Sequence, residues 1–316
     1  MSLIQTVLRS LYKNKKYGEL SSLYKLFDEK LGDAIASQLS SELNLYNAER
    51  AFERIYVDFQ WVDKIPLASF VNQQKDINGN IIANKTEIGD LFIQYRHTNA
   101  YGNKVESGIH QYSHRSLVIQ AKLASEKNPI VPIGKISKNR CNSTSKELKL
   151  LEDWPEFDLY ETARSSNPLA KNLSVSKGNV PFAFYGAFTN SCKSWSFGIA
   201  KNGEVCRNSF EEIILDLAQG NIGKEIKTDS AWETISSEIT KTCKNRKLPP
   251  SIAAGIESRN RQTRVDGGIL YSFPSPLFNR LFWIFDKFIS PFISKKILVL
   301  TIDRISYEGE KMELHR

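Results

Sequence analysis

Two short apolar segments of this chain carry polar residues at fixed places. Glu87-Ile88-Gly89-Asp90-Leu91-Phe92-Ile93 sets two carboxyl groups ahead of an apolar run, and Leu117-Val118-Ile119-Gln120-Ala121-Lys122 closes one with an amide and an ammonium. Polar groups in such runs cost burial energy unless they are paired or used. Side chains two apart on a strand leave the same face, so Gln120 and Lys122 point together while Ala121 points away. If the two strands are neighbours, Asp90, Gln120 and Lys122 meet, with Glu87 reaching the same place across Gly89. Oxygen ligands of this kind suit Mg²⁺ or Mn²⁺, and an adjacent ammonium activates a water or offsets charge developing on a phosphate. The chemistry predicted is metal-assisted phosphodiester hydrolysis, with Asp90 as the principal metal ligand. Glu87 assists, Gln120 offers its carbonyl, and Lys122 handles the water or the phosphate.

Other polar and aromatic residues stand beside these as candidates. Lys135, Lys138 and Arg140 follow the lysine-bearing strand, and Arg259, Arg261 and Arg264 form a second basic cluster; both are candidate phosphate contacts. His110 and His114 have i, i+4 spacing, but Gly108 and the polar surroundings argue against a metal-binding helix. Gly220-Asn221-Ile222-Gly223-Lys224 lacks the spacing and preceding strand of a phosphate loop and reads as a turn. The segment 276–296 is rich in aromatics, with Phe282, Trp283 and Phe285 at its centre, and is too often charged for a membrane span. It reads as a core or dimer helix, with an interfacial helix at a membrane surface as the alternative.

The elements that must position the first set can be read from periodicity. From Leu3 to about Glu53 apolar residues recur at helical spacing, which predicts two or three amphipathic helices, the last running through Asn47 to Glu53. Ile55 to Trp61 alternates and is rich in β-formers, so a strand is expected there. Asp76-Ile77-Asn78-Gly79-Asn80 has turn chemistry. The polar stretch His97 to Arg115 reads as a long loop joining the two chemistry-bearing strands. A helix is expected over Ser145 to Leu151, strands over Asn179 to Thr189 and Trp195 to Ala200, and a capped helix from Ser209 stopped by Gly220. A further helix over Trp232 to Cys243 and strands over Gly268 to Phe273 and Ile297 to Ile302 complete a mixed α/β order.

Composition bounds the rest. The chain has 316 residues, 41% of them hydrophobic, enough for a sizeable core, and 43 Lys plus Arg against 35 Asp plus Glu give a net charge of +8. That excess favours a polyanionic partner. Cys141, Cys192, Cys206 and Cys243 are too widely spaced for a zinc knuckle and read as buried free thiols in a reducing compartment. With no apolar leader after Met1, a cytoplasmic location is expected. Three regions are expected: helices over 1–54 packed on the core, an α/β core over 55–202, and an α/β extension over 203–316.

Glu87-Ile88-Gly89-Asp90 with Gln120-Ala121-Lys122 resembles the active-site signature of the PD-(D/E)xK, or restriction-endonuclease-like, nucleases, in the variant where glutamine replaces the second acid. The resemblance covers about the first two-thirds of the chain. It implies a mixed central sheet flanked by helices, dependence on Mg²⁺ or Mn²⁺, and cleavage of DNA in defence against foreign genomes. A second copy of the chain or a defence-system partner protein is a further partner it admits. By the match, Asp90 stands for the first acid, Gln120 for the second and Lys122 for the motif lysine; Glu49, Glu53 or Glu42 would supply the glutamate such nucleases often carry on the preceding helix. No proline precedes Asp90, and the neutral amide of Gln120 is a weaker Mg²⁺ ligand than a carboxylate. The competing expectation is a non-catalytic nucleic-acid- or partner-binding protein that keeps the fold.

Overall fold

The computed structural model describes residues 2–12, 15–43, 53–62, 66–102, 107–241, 262–265, 268–271 and 297–308. In chain order the elements are α1 (Leu3–Leu11), α2 (Glu19–Lys25), α3 (Glu29–Glu42), β1 (Glu53–Val62), β2 (Leu67–Phe70), β3 (Gln74–Lys75), β4 (Ile81–Ile82), β5 (Thr86–Glu87), β6 (Leu91–Gly102) and β7 (Ser107–Ala124). There follow α4 (Ser143–Asp153), β8 (Phe157–Tyr160), β9 (Ala170–Leu173), β10 (Ala183–Thr189), β11 (Ser194–Ile199), α5 (Phe210–Gln219), β12 (Lys224–Glu225), α6 (Ala231–Thr240), β13 (Gln262–Val265), β14 (Gly268–Tyr271) and β15 (Ile297–Glu308).

The main sheet has seven strands in the order β1-β15-β6-β7-β10-β11, with β12 also pairing with β7. It is mixed: β15 runs parallel to β6 and β10 parallel to β7, while the β1–β15, β6–β7 and β10–β11 pairs are antiparallel. β15 lies between β1 and β6, so the chain beyond Gly203 returns to take an inner place in the sheet, next to the edge strand β1. Its run Ile297 to Ile302 is buried, as its apolar character predicts. A smaller sheet, β5-β2-β8-β9, stands beside it.

Both faces of the main sheet are covered. On one, α1, α3 and α5 pack: Phe27 lies against Phe59, Tyr12 against Phe188, and Phe197 against Phe210. α1 forms because Ser2 caps it by accepting the Gln5 N–H, and its apolar stripe Ile4, Leu8 and Leu11 is buried. α5 begins in a capping box between Ser209 and Glu212 and ends at Gly220, whose φ of 82° favours glycine. On the other face α6 brings Trp232 onto Phe92, Trp154 and Phe182, and its indole N–H donates to the Ser116 hydroxyl at 2.9 Å. α4 lies on this face too.

Three expectations change. His97 to Arg115 is mostly strand: outside 103–106, which are not among the described residues, β6 and β7 run through it as a long antiparallel ribbon, pairing Thr98 with Gln111 and Tyr101 with Gly108. Ladder bonds come from the backbone, so a polar stretch without alternation can still be a strand when neighbours pair with it; β15 extends alongside as far as Glu308. Glu53 opens β1 instead of closing a helix, and 44–52 lie outside the described residues. Cys206 is buried, but Cys192 is exposed and Cys141 half-buried; Cys243 lies outside the described residues. The aromatic segment 276–296 is outside them as well. Among the described residues no helix is long and apolar enough to cross a membrane.

Candidate active site

Gly89 brings the chain against β7. A Cβ there would stand 3.1 Å from the Ile119 carbonyl oxygen, a tighter contact than side chains ordinarily make, so glycine eases the approach. Asp90 then joins the ladder ahead of β6: its N–H donates to the Ile119 carbonyl at 2.9 Å, and its own carbonyl accepts the Leu298 N–H at 3.0 Å. With Leu91 paired to Ile119, Asp90 falls opposite Gln120. Its Oδ2 accepts the Gln120 Nε2–H at 2.5 Å and the Ala121 N–H at 2.9 Å. The neighbouring β10 sets Tyr185 beside Gln120 and Ala187 beside Lys122.

Lys122 is held from above. Its Nζ lies 3.0 Å from Glu147 Oε2, in the second turn of α4, and the two side chains are 18% and 4% exposed. α4 is fixed at its start by a capping box between Asn142 and Ser145 and packs through Leu148, Leu150 and Leu151. Asp90, Gln120 and Tyr185 are all buried, and the Gln120 Oε1 and Tyr185 hydroxyl have no hydrogen-bond partner among the described residues. Buried polar atoms are nearly always satisfied, so two unanswered oxygens on adjacent strands of one face mark a place for a polar ligand.

The charges are tightly linked. Burial pushes the Asp90 carboxyl up to about 8; Lys122 pulls it back, and Glu19 and Glu87 push it further up. Burial also pulls the Lys122 ammonium down, but Glu147, Asp90 and Glu19 outweigh it and hold the group above the usual lysine range. Glu19, at the start of α2, therefore belongs to the electrostatic surroundings of the site.

The donors fit a hard divalent cation in kind. Among the described residues no three His, Cys, Asp or Glu side chains come together as a metal set. The oxygens on offer are the Asp90 carboxylate and the unanswered Gln120 carbonyl, with Glu87 close enough to act on Asp90. A bound cation would give Gln120 Oε1 its missing partner and favour the ionised form of Asp90 that burial opposes.

The remaining candidates are dispersed. Glu42 is exposed at the end of α3 and accepts from Gln38 Nε2 at 3.3 Å; Glu49, Arg259 and Arg261 lie outside the described residues, and Arg264 is on β13. Lys135, Lys138 and Arg140 are exposed on the loop before α4. His114 faces a different partner set, its Nε2 lying 3.1 Å from Gln94 Oε1. Reading the sequence missed Glu147 and Tyr185. Glu147 was visible as a carboxylate inside the apolar stripe of α4, with Leu150 and Leu151 at i+3 and i+4. Tyr185 has no such signal among the aromatics around it. Comparison with protein-family models, with curated proteins and with solved structures finds no match.

Proposed function

We propose that this protein is a metal-dependent nuclease that hydrolyses phosphodiester bonds, with DNA as its substrate and defence against foreign DNA as its setting. One observation carries the reading: Asp90, Gln120 and Lys122 come together at one end of two adjacent strands, with the Gln120 carbonyl buried and unanswered. In this reading Asp90 and Gln120 hold Mg²⁺ or Mn²⁺, assisted by Glu87. When bound, the cation supplies Lewis-acid polarisation of the phosphate and a water of lowered pKa. Lys122, kept protonated by Glu147, offsets negative charge gathering on the phosphate oxygens. The surrounding apolar side chains of β6, β7 and β10 keep the local dielectric low, which strengthens each of these interactions.

A second reading is favoured by a different observation. Asp90 Oδ2 already accepts two protein hydrogen bonds, and burial raises its carboxyl well above the usual carboxylate range, which favours the neutral form. That is how a polar group is accommodated in a fold that binds nucleic acid or a protein partner without cutting. The two are separated by incubating the protein with plasmid DNA and Mg²⁺ or Mn²⁺ beside Asp90→Ala and Lys122→Ala. The nuclease reading expects nicking by the wild type and a loss of at least about 100-fold in either variant. Cleavage that survives both substitutions excludes this site; binding without cleavage by the wild type favours the second reading.

A further inference from the structure

Between Glu126 and Glu147 the chain has no Asp or Glu and carries five cations, Lys127, Lys135, Lys138, Arg140 and Lys146. The middle three sit on one loop whose backbone is held by side-chain amides. Asn142 Nδ2 donates to the Lys135 carbonyl at 2.7 Å, Asn78 Nδ2 to the Ser137 carbonyl at 3.0 Å, and Asn80 Nδ2 to the Lys138 carbonyl at 3.3 Å. Asn78 and Asn80 belong to the β3–β4 turn, which folds around Asp76. Its buried carboxylate accepts the N–H groups of Asn78 and Asn80 at 3.0 and 2.8 Å and the Asn80 amide at 3.2 Å.

With those carbonyls occupied, the loop cannot turn freely, and Lys135, Lys138 and Arg140 all project into solvent. The same loop leads into α4, which reaches Glu147 and through it Lys122. From Asn142 to Glu147 the helix rises only about 7.5 Å. A rigid cationic edge is thus joined to the candidate site by one element. Cations fixed beforehand lose little entropy when a polyanion binds, which is what a sugar-phosphate backbone requires of its receptor.

We propose that the loop 135–140 is the edge on which a nucleic-acid backbone lies, and that the β3–β4 hairpin, through Asn78 and Asn80, is the positioning element that sets its shape. The choice of nucleic acid rests on the nuclease reading; the rigid cationic edge does not. The test is anisotropy of a fluorescently labelled DNA duplex in EDTA, with KCl varied, so that binding is read without cleavage.

Each phosphate contact contributes about 0.9 to the slope of log affinity against log salt, so Lys135→Gln, Lys138→Gln, Arg140→Gln together should flatten it by up to about 2.7. The same charge change at the exposed Lys30, Lys171 and Lys201 should leave the slope near wild type. Asn78→Ala with Asn80→Ala keeps every charge and should still weaken binding several-fold. A wild-type slope in the loop variant, or an equal flattening in the control, overturns the surface. Wild-type affinity in the asparagine variant overturns the role of the hairpin. Loss of retention on phosphatidylserine vesicles with duplex binding intact assigns the edge to membranes instead and also overturns it. Asp90→Ala separates the two readings: if it abolishes cleavage while the loop variant binds normally, the surface fails alone. If the loop variant loses binding and no cleavage depends on Asp90, the nuclease reading fails alone.

Discussion

Two buried glutamines lie on neighbouring strands and the same face of the main sheet, and they are treated differently. Gln94 on β6 uses both ends of its amide: Nε2 donates to the Thr301 hydroxyl at 2.7 Å, and Oε1 accepts from the His114 ring at 3.1 Å. Beside it Arg96 makes a two-pronged pair with Asp303 at 2.5 and 2.7 Å. Gln120 on β7 uses only one end, donating to Asp90 and leaving Oε1 without a partner among the described residues. A glutamine with both ends answered ties strands together. One with its carbonyl left over is open to a ligand, because an unanswered buried acceptor is costly and a bound polar group would satisfy it.

That contrast can be broken or sharpened by substitution, beginning with the largest effect. Glu147→Gln leaves the Lys122 ammonium buried beside an amide and should lower stability by about 3 kcal/mol in urea unfolding. A change near zero would mean that Lys122 finds another partner. Gln120→Leu and Gln94→Leu should then behave in opposite ways. Gln120→Leu should weaken Mn²⁺ binding, read by paramagnetic resonance, by at least about tenfold, with a smaller loss of stability than Gln94→Leu, since only Asp90 loses a partner and it keeps the Ala121 N–H. Gln94→Leu should leave Mn²⁺ binding intact and lower stability by about 1–3 kcal/mol, since Thr301 and His114 both lose a partner. Equal effects on both measurements would erase the distinction.

A smaller effect depends on pH. Burial pulls His114 down to about 4, helped by the cation of Arg96 and opposed by Asp303, whereas an unfolded histidine titrates near 6.5. Its contribution to stability is therefore complete above 6.5 and is lost as pH falls from there toward 4. Asp58, on the same face, works the other way: burial and Asp303 push it up to about 6, so its ionised form weighs against the fold as pH rises toward 6. The histidine part is isolated by the difference between wild type and His114→Gln, which should shrink between pH 7 and pH 5. The smallest effect belongs to Tyr185→Phe, which removes a hydroxyl that bonds to nothing among the described residues and should change stability by less than about 0.5 kcal/mol. A loss above about 1 kcal/mol would give that hydroxyl a partner and weaken the case for a ligand place.

Much of the local structure could be read without coordinates. Ser209 and Gly220 bracket α5 because capping and a left-handed stop are properties of a few neighbouring residues. The Asp76–Asn80 turn is there for the same reason. Gln120 and Lys122 share a face because a strand alternates. The ribbon over His97 to Arg115 was not legible, since its pairing depends on β7 and β15 coming alongside and on no pattern within the stretch itself.

The sequence by itself determined α5 with its caps, the buried run of β15, and which side chains of β7 stand together, all of them consequences of local propensity and periodicity. Only the tertiary structure decided that β15 lies between β1 and β6, that Gly89 lets Asp90 close on Gln120, and that Glu147, 25 positions after Lys122, comes back to hold it. Those are contacts between distant parts of the chain, set by which apolar faces bury one another, and no window of neighbouring residues records them.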